Sequence, residues 1–158
     1  MRRSLAMLLA MSVLGASGAH ASTHEFLNKA IKGDNSETRL GRVAAERGAS
    51  PGIRSFGRML ERDHSAARRE TVPIARRHGV TPPTAMADEA QAEYHKLQGL
   101  RGRDFDREFA RYMVDDHKKD ISDFEREARS RDPSDVRALA RKTLPVLRKH
   151  LRTAQSLS

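Results

Sequence analysis

Apolar residues recur at three-, four- and seven-residue intervals along four long stretches, the spacing that lines one face of an α-helix. Phe26, Ala30, Gly41 and Ala44 share the first stripe, and Ile53, Leu60, Ala67, Thr71 and Ile74 the second. The third holds Phe109, Met113, Ile121 and Phe124, and the fourth Thr143, Leu147, Leu151 and Ala154. No segment alternates like a strand. The stops are equally regular. Helix from 23 to 47 ends at Gly48-Ala49-Ser50-Pro51, where Ser50 caps the next helix and Pro51 suits its first turn. That helix runs to His78 and stops at Gly79. A crossover with Pro82-Pro83 precedes a short helix from 85 to 97, then a turn through Gly99 and Gly102. Helices from 104 to 129 and from Pro133 to 156 complete the chain. Two hairpins joined by a crossover predict an all-α, ferritin-like four-helix bundle with a short extra helix in the connection. Phe26, Phe56, Leu60, Phe109, Phe124, Leu147 and Leu151 are its expected core. Gly33-Asp34-Asn35-Ser36 is poor helix material and predicts a kink.

Each stripe is interrupted by one polar residue: Glu37, His64, His117 and His150. Polar groups turned into a small core destabilise it unless a partner satisfies them. Counted from the two hairpin turns at 1.5 Å per residue, Glu37 and His64 differ in depth by roughly 3 Å, and His117 and His150 by roughly 6 Å. All four can therefore meet near mid-bundle. Three imidazoles and one carboxylate suit a single divalent transition ion: zinc, copper, iron or manganese. A buried hydrogen-bonded network that fixes helix register produces the same pattern. Di-iron bundles pair glutamates with two Glu-x-x-His motifs. Glu61-Arg62-Asp63-His64 has that form, but Val114 and Leu147 stand where the other histidines would need glutamate. Asp116 and Asp120 are the nearest substitutes on the third long helix, so Glu61, Asp116 and Asp120 are further possible ligands.

The first 21 residues change the compartment. Arg2-Arg3, an apolar run from Leu5 to Leu14 and small residues ending in Ala19-His20-Ala21 form a secretory signal with cleavage after Ala21. Residues 22–158 then form one domain, expected in the bacterial periplasm or secreted. With no cysteine there is no disulfide and no thiolate ligand. The leader holds two arginines and no acid, so the net charge falls from +9 to +7 on cleavage. That surplus favours weak binding to anionic envelope polymers. It lacks the aromatic interleaving of a nucleic-acid binder, and no second apolar stretch reaches spanning length. Cleavage would also place His24 third in the mature chain, where a free amine, two amides and imidazole form a copper(II) chelate. His78 ends a helix, where its charge suits the dipole, and His95 lies on the short helix.

Several of these residues carry a family resemblance: Glu37-Thr38-Arg39-Leu40-Gly41, Asp63-His64, Phe105-Asp106, Asp116-His117 and Leu144-Pro145 with His150. From His24 to Ala154 the chain resembles the bacterial exported family called domain of unknown function 4142, whose members carry an outer-membrane label. The resemblance implies a ferritin-like bundle and no assigned biochemical role. The sequence contains no nucleophile signature and no phosphate-binding glycine loop. The first expectation is a non-enzymatic envelope or stress-related protein with a buried Glu/His cluster. The alternatives are a periplasmic metal-binding protein and a metal-dependent oxidase.

Overall fold

The structure is a computed structural model describing residues 16–158, with side chains described from Ser22 onward. Its helices are α1 (Ala16–Arg47), α2 (Pro51–Arg77), α3 (Asp88–Gln98), α4 (Gly102–Ala128) and α5 (Ser134–Leu157), and no strand occurs among the described residues. α1 packs along α2, and α4 along α5. α3 lies in the connection between these two hairpins. The fold is the expected all-α bundle.

Local chemistry sets the turns. Ser50 Oγ accepts from Ile53 N at 3.2 Å, and Asp106 Oδ1 and Oδ2 accept from Ala49 N and Ser50 N at 2.8 Å each. One carboxylate on α4 thus holds the α1–α2 turn. α2 ends in a Schellman motif: Gly79 takes φ +74, Val80 N donates to Ala75 O at 2.9 Å, and Gly79 N to Arg76 O at 3.1 Å. The segment after it is pinned along α1 by Asn35 Nδ2, which donates to the carbonyls of Pro83 and Ala85, and by Ser36 Oγ, which accepts from Ala87 N. This tethering delays α3 to Asp88, three residues later than the sequence predicts.

α1 also departs from expectation. It runs unbroken through Gly33-Asp34-Asn35-Ser36, where a kink was predicted. Tertiary contacts override the poor propensity: Asp34 turns into the core, Asn35 holds the connection, and Ser36 Oγ donates back to Lys32 O at 2.7 Å. α1 begins at Ala16, so the expected cleavage point after Ala21 falls inside its first turns. Residues 1–15, most of the expected leader, lie outside the described residues. No described helix is long and apolar enough to cross a membrane.

The core is divided. One apolar cluster at the α1–α2 turn end contains Leu40, Ile53, Phe56, Leu60, Phe105, Phe109, Met113 and Ala154. A second, at the other end, contains Phe26, Leu27, Ile31, Ala75, Val80, Val136, Leu139 and Ala140. Phe124 and Leu151, expected in the core, are only half-buried. Phe124 closes the edge of the second cluster against Phe26, with ring centroids 5.0 Å apart. Leu151 flanks the buried row Leu147-His150-Ala154 instead of joining it. α1 and α2 touch backbone to backbone: a Cβ built on Gly57 would lie 2.5 Å from Ala45 N and Gly41 O. Glycine is required at this approach.

Candidate metal centre

Between the two apolar clusters every long helix contributes one polar side chain. Glu37 follows Ile31 and precedes Leu40 on α1, while His64 follows Leu60 on α2. His117 follows Met113 on α4, and His150 lies between Leu147 and Ala154 on α5. Glu37, His117 and His150 have no exposed surface, and His64 is 4% exposed. One ligand-capable atom from each lies within 4.8 Å of the others.

The outer edge of each imidazole is held. His64 Nδ1 lies 3.0 Å from Asp34 Oδ1, His117 Nδ1 2.9 Å from Met113 O, and His150 Nε2 3.0 Å from Asp63 Oδ2. These acceptors assign the outer proton to Nδ1 of His64 and His117 and to Nε2 of His150. The inner atoms are different. His64 Nε2 is 2.8 Å from Glu37 Oε2, and His117 Nε2 is 3.2 Å from the same oxygen. Neither contact has the alignment of a hydrogen bond, however, and His64 Nε2, His117 Nε2, His150 Nδ1 and both Glu37 oxygens are buried without a hydrogen-bond partner. Donors about 2.1 Å from one tetrahedral ion stand roughly 3.4 Å apart, so the contacts at Glu37, 2.8 and 3.2 Å, would open slightly around such an ion.

Electrostatics tells the same story. Burial alone would raise the Glu37 carboxyl, but the imidazoles of His117, His64 and His150 outweigh it and hold it at about 2. Burial opposes charge on His64, yet Glu37 and Asp34 raise it well above the ordinary range. Burial lowers His117, and burial with the neighbouring His64 brings His150 down to about 4. At neutral pH the layer therefore holds one carboxylate, two neutral imidazoles with inward lone pairs, and one proton on His64.

Comparison with known proteins accords with this architecture. The profile of the family described as Domain of unknown function (DUF4142) matches residues 9–157. The chain belongs to this family. A search of curated proteins finds no match to this DUF4142 chain. Among solved structures it is similar to the crystal structure of a DUF305 fragment from Deinococcus radiodurans, at a TM-score of 0.74 and 19% identity. The match covers 85% of this chain and 93% of that one, and shows a shared fold.

The remaining candidates divide. Asp116 and Asp120 each offer an oxygen within 4.8 Å of Glu37's and of one another's. Burial pushes Asp116 up to about 7, and burial with the charge of Asp116 pushes Asp120 well above the ordinary carboxylate range. Glu61 does not join the cluster. It lies three residues before His64 but pairs with Arg42 at the surface, Nε to Oε1 2.8 Å. His24 lies outside the cluster: its Nε2 is 2.6 Å from His78 O. His78 contacts Asp135, and His95 is exposed. Asp34 is the participant that sequence reasoning missed. Its position one turn before Glu37 was the available signal, masked by the weak helical propensity around it.

Proposed function

We propose that this DUF4142 protein holds one divalent first-row transition ion in its core. The ligands are His64 Nε2, His117 Nε2, His150 Nδ1 and the Glu37 carboxylate. One observation carries the reading: every inner donor is buried and makes no aligned hydrogen bond, with only the close charge contacts of His64 and His117 to Glu37 Oε2 between them, while the opposite nitrogen of each imidazole is bonded to an outer acceptor. Metal-bound histidines are oriented by such outer partners. A purely structural network would spend its hydrogen bonds inward, between Glu37 and the imidazoles, because unsatisfied buried groups are destabilising. Four protein ligands complete a tetrahedral shell, the arrangement of an ion that is held rather than one that activates a substrate. Together with the leader expected from the first 21 residues, this supports an exported metal-binding role rather than an enzymatic one.

Thermal melts of chelator-treated protein test it. A ligand specific to the folded state stabilises by about 2.7 kcal/mol at a hundredfold excess over Kd, which for this size raises the melt by several degrees. At least one of zinc, copper(II), iron(II) or manganese(II) should do so. The shift should vanish in His64→Leu and His117→Leu and persist in His78→Ala, with His24→Ala as the control for terminal copper binding. Equal shifts in all variants would reject the site.

A further inference from the structure

We infer that Glu37 serves two ions, and that its second ion is a hard divalent cation held with Asp116 and Asp120. This inference rests on the imidazole site proposed above. Glu37 Oε2 faces His64 and His117, while Oε1 is equally buried and accepts from no N–H or hydroxyl; the Asp120 carboxyl comes within hydrogen-bond reach of Glu37, so two acceptor groups meet that need a proton or a cation between them. A carboxylate with no exposed surface, one oxygen turned to the imidazoles and the other accepting no aligned hydrogen bond, has bonding capacity that one imidazole-bound ion does not exhaust. Asp116 and Asp120 stand one turn apart on the same face of α4, on either side of His117, and bring their carboxylates to Glu37.

The surroundings distinguish the two positions. The imidazole layer is almost wholly buried, with only His64 reaching 4% exposure, whereas Asp116 and Asp120 are half-buried and line a cleft of about 340 Å³ with Lys29, Lys32, Lys119, Glu89 and Asp123. On the α1 side the wall is Gly33, and even a Cβ there would remain 4.0 Å from Asp120 Oδ2, so no side chain covers the carboxylate from that residue. Water can therefore reach this pair and complete an ion's shell. Three carboxylates with water make an all-oxygen donor set, suited to manganese(II), magnesium or calcium rather than to an ion that prefers imidazole. A shared carboxylate would hold the two ions about 3.5–4 Å apart. The bundle would thus contain an asymmetric pair, one ion buried among nitrogens and one open to the cleft.

The test loads chelator-treated full chain with one equivalent of zinc, then adds manganese(II). Electron paramagnetic resonance and elemental analysis give the bound ions. One manganese should bind per chain with zinc retained, and the paired substitution Asp116→Asn with Asp120→Asn should weaken manganese at least tenfold while zinc stays bound. Zinc retention also reports that the variant has folded. If zinc-loaded wild type binds no manganese, binds it only by displacing zinc, or binds it equally well in the aspartate variant, the second site is wrong and the imidazole site stands. If the wild type binds none of zinc, copper(II), iron(II) and manganese(II), both readings fail together.

Discussion

At the α1–α2 turn end of the bundle, Phe56, Phe105 and Phe109 fill the core completely, with Phe105 stacked on Phe109 at 6.2 Å and Phe56 edge-on to it at 6.0 Å. Two helical turns further along α4, the same stripe presents His117 to Glu37, His64 and His150, and its inner nitrogen makes no aligned hydrogen bond, only a 3.2 Å charge contact with Glu37. Both layers are equally buried and are built from the same four helices. They differ in what satisfies them. Aromatic rings complete the apolar layer from within the protein, whereas the polar layer brings its donors together without aligning them. The difference teaches that burial alone does not identify a core: one layer has stability as its purpose, and the other, under the proposed function, a ligand.

Substitutions can separate the two layers. Phe109→Ala should show the largest effect, a loss of about 3–5 kcal/mol from lost burial and the cavity left behind. The metal-induced rise in melting should persist on top of that lower baseline. A metal shift that disappears with the phenylalanine would mean that the layers are not separable.

Gly57→Ala comes next and couples the layers. Its new Cβ would meet Ala45 N and Gly41 O at 2.5 Å, and backbone atoms cannot swing aside. Parting α1 from α2 should cost about 1–3 kcal/mol. Because α1 carries Glu37 and α2 carries His64, metal affinity should fall as well. Denaturant unfolding with and without zinc measures both effects.

Asp63→Asn should have the smallest effect on stability and a clear effect on the metal. Asp63 is partly exposed, and its loss should change unfolding by less than about 1 kcal/mol. Its carboxylate nevertheless orients His150, and removing such an outer partner typically weakens metal affinity 10- to 100-fold. Affinity unchanged in competition titrations would leave His150 outside the coordination shell.

Much of this contrast was legible in the chain. Helical periodicity placed Glu37, His64, His117 and His150 on inward faces, and residue counts from the two turns brought them to a common depth, because an α-helix converts sequence separation into distance at a fixed rise. Ser50 and Gly79 marked their boundaries through side-chain and backbone geometry that is local. What stayed hidden depends on contacts between distant segments. Propensity made Gly33 to Ser36 look like a kink, but Asp34 bonds His64 from thirty residues away and Asn35 ties down the proline-rich connection. The glutamate spacing before His64 suggested Glu61 as a ligand, yet Arg42 on the neighbouring helix draws it outward. Met113 contributes only its carbonyl to His117, which no side-chain pattern displays. The 4% exposure of His64 and the half-burial of Leu151 likewise follow from how the hairpins meet, not from either stripe alone.

The central claim is most directly tested by a crystal structure of zinc-loaded protein with anomalous scattering recorded at the zinc edge. The account predicts one strong peak in the polar layer, about 2.0–2.2 Å from Nε2 of His64, Nε2 of His117, Nδ1 of His150 and an oxygen of Glu37. The use of Nδ1 at His150 alone is a specific requirement, because Asp63 holds its other nitrogen. A polar layer without zinc, in which Glu37 is instead hydrogen-bonded to the imidazoles, would contradict it.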